Sequence, residues 1–189
     1  MKLEKIQKDD YIKVKELYIN AFPKEERLPF FFLKRKIKKG KGKILVIKEN
    51  KEFIGFMYFI EYKDIVYLLF YAIVSSNRSQ GYGSQGLQLF LKQYASKRIF
   101  ISREILDETS NNYQERVRRR QFYIRNGFVD YPYRIQEVGV TYDVMCVGNC
   151  IWPKEYDELI HFWVGRLIKN ITNMKMIEYK NDDKLTRNC

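Results

Sequence analysis

The sequence predicts an α/β fold: a mixed central sheet flanked by helices, with an additional C-terminal helix. Three observations carry this expectation. Between residues 43 and 74, three β-rich runs are separated by tight turns, the mark of an antiparallel meander. The last run, Ile65 to Val74, is apolar on both faces. That pattern suits a central strand covered on both sides. Beyond it, helical and extended patterns alternate, so hairpins and helical crossovers both occur and a pure Rossmann alternation does not.

Each element follows from local signals. Lys2 to Ile6 forms a short opening strand. Asp9 is an N-cap for a helix whose apolar positions Val14, Leu17, Tyr18 and Ala21 repeat until Pro23. A second helix runs from about Glu26 to Lys38, contains Phe30 to Phe32, and ends at Gly40-Lys41-Gly42. The three strands of the meander are Lys43 to Lys48, Glu52 to Glu61 and Ile65 to Val74. A helix from Ser84 to Ala95 presents Leu87, Phe90, Leu91 and Tyr94 as its apolar stripe.

Arg98 to Ile105 is a further strand. The polar link Asp107 to Asn112 leads into a helix from about Tyr113 to Arg125, stopped by Asn126-Gly127. Tyr133 to Val138 and Val140 to Val147 close the core as a strand pair about Gly139. A last helix, Lys154 to Ile168, carries Tyr156, Leu159, Ile160, Trp163 and Leu167 on one side. Lys180 to Cys189 is a polar, frayed tail. We therefore expect one domain over residues 1–150, with 151–189 packed on it or extending it.

Composition narrows the functional classes. A chain of 189 residues with 46% apolar and 31% charged residues can bury one full core. Its basic excess, 35 − 23 = 12, attracts anions at long range. Nucleic acid, an acidic membrane surface, a phosphorylated small molecule and plain solubility all fit that excess. No zinc-finger spacing, homeodomain-like helix or aromatic pair of an RNA-recognition module occurs, which disfavours a nucleic-acid partner. Beyond scattered lysines, the dense basic cluster is Arg116, Arg118, Arg119 and Arg120.

Three cysteines (Cys146, Cys150, Cys189) and one histidine (His161) supply neither a mixed zinc site nor a disulfide framework, so no metal is expected. A reducing, cytoplasmic setting fits this usage. No apolar run has the length of a membrane span, and no membrane partner is expected.

The segment that carries chemistry is Asn77-Arg78-Ser79-Gln80-Gly81-Tyr82-Gly83-Ser84. Two glycines one residue apart let backbone amides approach a ligand where a Cβ would collide. The first turn of the following helix adds N–H groups that have no acceptor of their own, at the end of the dipole that favours anions. Arg78 can add a charge-assisted bond. A strand-to-helix turn without any ligand would use the same residues. No Gly-Lys-Ser/Thr ends the loop, and the third glycine of a dinucleotide fingerprint is missing, so Walker-type and nicotinamide or flavin sites are disfavoured.

Arg78-x-x-Gly81-x-Gly83, directly after Leu69 to Val74, resembles motif A of the GCN5-related N-acetyltransferase (GNAT) superfamily. The later Arg119-Arg120-Gln121-Phe122-Tyr123-Ile124-Arg125-Asn126-Gly127-Phe128 is similar to its motif B. The order of elements matches as well, over roughly residues 2 to 147. The resemblance implies a GNAT-like fold and acetyl-CoA as co-substrate. It implies that the diphosphate lies on the amides of Ser79, Gln80, Gly81, Tyr82, Gly83 and Ser84. It also implies that the pantetheine arm pairs with backbone groups of Ala72, Ile73 and Val74.

For the chemistry, the resemblance makes Tyr123 the general acid at the thioester sulfur and Glu104 the candidate base. Tyr123 as one more packing ring and Glu104 as a salt-bridge partner are the bland counterparts. Many family members carry an asparagine seven residues before the motif B tyrosine, where this chain has Arg116. The neighbouring arginines are candidates for the CoA phosphates or an acidic partner. Glu25 and Glu26 stand in the connection that resembles the family's substrate-facing region. Cys146 has no histidine near it in sequence and reads as buried rather than nucleophilic.

The leading expectation is an acetyl-CoA-dependent N-acetyltransferase acting on a primary amine of a small molecule, peptide or protein. A noncatalytic acyl-CoA-binding regulator and a basic nucleic-acid-binding module are the alternatives. The stripe of the last helix fits a cover over the acceptor, a homodimer contact or a simple cap on the sheet.

Overall fold

The structure, a computed structural model, describes residues 1–137, 139–149, 151–165 and 173–179. Its contacts gather into two compact units, Met1–Glu61 with Tyr67–Ala95, and Tyr62–Val66 with the described residues from Ser96 onward.

In the first unit, β1 (Lys2–Lys5) precedes α1 (Asp10–Ala21) and α2 (Phe30–Lys38). β2 (Lys43–Glu49), β3 (Glu52–Tyr62) and β4 (Ile65–Ile73) follow, and then α3 (Tyr82–Gln93). The strands lie in the order β1-β2-β3-β4. β1 and β3 both pair antiparallel to β2. Asn50 and Lys51 join β2 to β3 with φ of +49° and +69°, the left-handed pair that a two-residue hairpin demands. The core is aromatic. Tyr18 of α1 meets Phe70 of β4 edge-on at 4.9 Å, and Phe59 of β3 meets Phe90 of α3 at 5.1 Å.

Two boundaries differ from expectation for physical reasons. Asp9 makes no cap bond; the neighbouring Asp10 instead accepts from the Gln7 amide at 3.0 Å and pairs with Lys48 at 3.0 Å. The second helix does not run from Glu26. A short 3-10 turn covers Lys24–Glu26, and α2 starts at Phe30. Pro29 disfavours a helical Leu28 and donates no N–H, so the helix starts immediately after it. Its end is as expected: Gly40 takes φ +67°, its amide bonds Ile37 O at 2.9 Å and Lys41 N bonds Lys36 O at 2.9 Å, a glycine stop.

The second unit holds β5 (Arg98–Glu104), α4 (Tyr113–Arg125), β6 (Val129–Glu137), β7 (Val140–Val147), α5 (Pro153–Val164) and β8 (Lys175–Glu178). Its strands lie in the order β5-β7-β6-β8, antiparallel at every step. β6 begins four residues before the expected Tyr133. Pro132 argues against a strand, but the register shifts between Tyr131 and Arg134, so a bulge absorbs it.

α5 buries Tyr156, Leu159, Ile160 and Trp163 completely. At about 1.5–3 kcal/mol for each large apolar side chain, this is a substantial share of the unit's core. The amphipathic stripe is spent on packing. α5 ends at Gly165, with φ +88°; the expected reach to Ile168 and the polar tail from Lys180 lie outside the described residues. β8 was not expected. It has four residues and pairs along the edge of β6, too short to show a period in sequence.

Candidate functional site

The turn between β4 and α3 is built by backbone strain. After β4, a 3-10 turn at Ser75–Asn77 leads to an extended Arg78, then to left-handed Ser79 (φ +61°) and Gly81 (φ +83°). A Cβ on Gly81 would meet only Gln85 Nε2, at 3.6 Å. This glycine is therefore needed for its φ rather than for internal space. α3 starts at Tyr82, two residues before the expected Ser84, so Tyr82 and Gly83 belong to its first turn.

Among the described residues, the amides of Ser79, Gln80, Gly81, Tyr82 and Gly83 donate to no backbone carbonyl. They gather at the positive end of a 12-residue helix. The arrangement is braced from behind. The Tyr71 hydroxyl donates to Gly83 O at 2.5 Å, and Gln80 Nε2 donates to Ser76 O at 2.8 Å.

The Arg78 guanidinium is exposed, and its Nε donates to Ile73 O at 3.2 Å. Of the expected pantetheine edge, the Val74 amide already donates to Ile54 O at 2.9 Å, so it faces β3. Ala72 is buried, while Ile73 and Val74 keep partial exposure.

In the second unit, Tyr123 stands at the end of α4, and Asn126-Gly127-Phe128 fixes it there. Gly127 N donates to Ile124 O and Phe128 N to Tyr123 O, at 3.0 and 3.1 Å, with Gly127 at φ +91°. This is a Schellman stop, and the hydrophobic contact that accompanies it is the Tyr123 ring against Phe128, 5.4 Å apart. Some Tyr123 surface remains accessible, yet its surroundings are dense. Burial pushes the phenol up to about 12, against the opposing field of Arg119. The hydroxyl thus carries its proton throughout the neutral range.

Glu104, at the end of β5, is not free. Its Oε1 accepts from Asn112 Nδ2 at 3.0 Å and lies 3.6 Å from Arg116 Nε, while Arg119 ion-pairs with Oε2. The basic cluster of α4 is likewise committed. Arg116 also donates to Asn112 Oδ1 and Ile105 O, at 2.7 and 2.8 Å. Arg118 turns back to Gln114 O at 3.2 Å, and Arg120 Nε holds Asp130 at 2.9 Å. Burial pushes the Asp130 carboxyl up, but Arg120 and Arg103 outweigh it and hold it below the usual carboxylate range. These arginines answer internal carboxylates and carbonyls.

The sequence profile of the acetyltransferase (GNAT) family matches residues 11–128, more than half of the chain. The chain belongs to the GNAT family. Solved structures agree on the fold. A GNAT-family protein from Bacteroides thetaiotaomicron superposes with a TM-score of 0.70 at 23% identity, over 85% of this chain and 94% of that one. An aminoglycoside 6′-N-acetyltransferase complexed with coenzyme A matches with a TM-score of 0.60 at 15% identity, over 81% and 99%. Naa50 of Arabidopsis thaliana, in complex with a bisubstrate analogue, matches with a TM-score of 0.58 at 19% identity, over 78% and 98%. None of the curated protein sequences compared with the chain is a match.

Set against the GNAT pattern, several other residues find their places. Cys146 is buried on β7 and His161 is exposed on α5. Glu25 is exposed in the 3-10 turn before α2. Among the described residues, no helix is long and apolar enough to cross a membrane.

Sequence reasoning missed two features. A Cβ on Gly86 would meet Ile47 Cδ1 and Tyr71 Oη, both at 3.0 Å, so this glycine seats α3 on the strands. Its helical position after the turn was the available signal. The second is Lys34 to Lys43, which carries seven basic residues and no acidic one, a larger cluster than that of α4. Lys34, Arg35, Lys38 and Lys39 are exposed there.

Proposed function

We propose that this GNAT-family protein is an acetyl-CoA-dependent N-acetyltransferase that transfers an acetyl group directly to a primary amine of a small molecule, peptide or protein. One observation carries the reading: five consecutive amides, Ser79 to Gly83, lack backbone acceptors at the start of α3. Such a turn is an anion cradle. Together with the exposed Arg78, it fits a diphosphate. Gln80, Tyr82 and Ser84 contribute mainly main-chain groups. Ala72, Ile73 and Val74 supply the strand on which an amide-bearing pantetheine arm can extend.

In this reading, the neutral amine nitrogen attacks the thioester carbonyl carbon and forms the new C–N bond. The C–S bond then breaks, and the thiolate takes the proton of the Tyr123 hydroxyl. The proton shed by the amine goes to solvent and returns to the phenolate, leaving an amide and a free thiol. Holding both reactants together supplies much of the rate, so no covalent enzyme intermediate is needed. Glu104, the candidate base, accepts a hydrogen bond from Asn112 and is ion-paired with Arg116 and Arg119. The phenol, raised above its ordinary range, suits its donor role, because it stays protonated at the working pH.

The test combines binding and turnover. Gly81→Val should abolish acetyl-CoA binding by calorimetry while circular dichroism still reports a folded chain. A β-branched side chain at φ +83° is strained and would stand among the amides. Retained affinity in that folded variant would overturn the cradle. The wild-type chain should release thiol from acetyl-CoA with at least one amine of a varied panel. Tight binding without any release would favour the noncatalytic acyl-CoA binder.

A further inference from the structure

The helix that carries Tyr123 is anchored in an unusual way. None of the residues of α4, Tyr113–Arg125, is fully buried, so no deep apolar stripe fixes its rotation or its height along the strands. Its attachments are polar. At the start, Glu104 reaches from β5 to Asn112, Arg116 and Arg119. Arg116 also binds Ile105 O, so it ties α4 to the chain immediately after β5. At the far end, Arg120 holds Asp130 of β6.

The Glu104 side chain is only 10% exposed, whereas Arg119 keeps 43% of its surface. A carboxylate buried to that degree needs its partners, and removing one would leave a charge poorly compensated. Arg119 stands four residues before Tyr123, so both lie on one face of the helix, a single turn apart. Every polar attachment that sets the rotation of the first two turns therefore also sets the position of the phenol.

We propose that Glu104 and Arg119 are positioning residues for Tyr123: their ion pair fixes α4 on β5 and keeps a positive charge one turn from the phenol. This rests on the reading above in which Tyr123 is the proton donor. It gives Glu104 a role that does not require it to take a proton from the acceptor. It also accounts for Arg116 at the place where many family members carry asparagine. Here the arginine completes the clamp on Glu104 through Asn112. Among the described residues, Arg119 is the charged group whose field acts on the phenol, and it favours the phenolate that proton donation would leave.

The experiment compares Glu104→Gln, Arg119→Gln, their combination and Arg119→Lys, with wild type and Tyr123→Phe as references. Both single variants should lower kcat by about tenfold or more, because small displacements of a catalytic group are costly. The KM for acetyl-CoA should move less than about twofold. The double variant should be little worse than either single one, since both remove the same clamp. Arg119→Lys, which retains the charge, should recover most of the loss.

A general base would behave otherwise. Glu104→Gln would then be far more damaging than Arg119→Gln and would abolish the acidic limb of the pH–rate profile. That result overturns the proposal. A readout independent of turnover separates its failure from that of the acetyltransferase reading. In tyrosine-labelled protein, the Tyr123 resonance, identified by its loss in Tyr123→Phe, should shift or broaden in both single variants. An unmoved resonance overturns the clamp even in a chain that acetylates nothing.

Discussion

A phenol raised to about 12 has a consequence for Tyr123 that can be checked directly. If the hydroxyl is the acid that quenches the departing thiolate, Tyr123→Phe should lower kcat by about hundredfold or more, the range expected for general acid catalysis. Binding of acetyl-CoA should change little, since the ring and its contacts with Phe122 and Phe128 remain. The basic limb of the wild-type pH–rate profile should not appear until well above pH 10. Steady-state kinetics with titration calorimetry would decide. Unchanged turnover would remove the hydroxyl from the mechanism. The place of Tyr123 at the end of α4 was legible because its signal is local: Phe-Tyr, three residues, then Gly-Phe. Glu104 was legible as a position, while its surroundings were not. Its partners Asn112, Arg116 and Arg119 lie eight to fifteen residues further on, and only the fold shows that they converge.

At the scale of elements, the boundaries that sequence read correctly are those written in backbone chemistry. Gly40 and Gly127 both stop helices in left-handed conformation, as their positions imply. The boundaries it misread depend on tertiary compensation. Pro132 sits inside β6 because a bulge accepts it, and the Pro132 carbonyl then receives the Tyr179 amide at 2.9 Å. β8 exists because β6 offers an edge, a circumstance that four residues of sequence cannot reveal. The Gly127 stop can be tested. A Cβ there would meet nothing within 4 Å, so Gly127→Ala introduces backbone strain and no clash. Its cost should be about 1 kcal/mol, read as a lower midpoint in denaturant at unchanged m-value. A neutral result would mean that the Schellman bonds to Tyr123 O and Ile124 O do not hold the end of α4.

The whole molecule carries 35 basic and 23 acidic groups, yet its charge is not spread as the sequence suggested. Arg116, Arg118, Arg119 and Arg120 of α4 are spent on Glu104 and Asp130 and on carbonyls, whereas exposed cations gather at Lys34, Arg35, Lys38 and Lys39. Alkaline pH tests the buried side of this balance. Burial raises Tyr94 of the first unit to about 12, assisted by Glu61, and raises Tyr123 of the second to about 12. Below about pH 9 both phenols are protonated in the folded and unfolded chains, so neither contributes a pH dependence. From about pH 9 toward 12 the unfolded chain loses more of these protons than the folded one, and stability falls as pH rises. Lys48 and Lys63, whose ammonium groups are raised by Asp10 and Glu158, lose their contribution in the same direction. Denaturant unfolding should therefore be flat from pH 7 to 9 and weaken steeply by pH 11. Tyr94→Phe and Tyr123→Phe should each flatten that slope, whatever their effect at neutral pH. An identical slope in both variants would show that the phenols are already as free to ionise in the fold as in the unfolded chain. The same result would bring the basic limb expected of Tyr123 down toward pH 10.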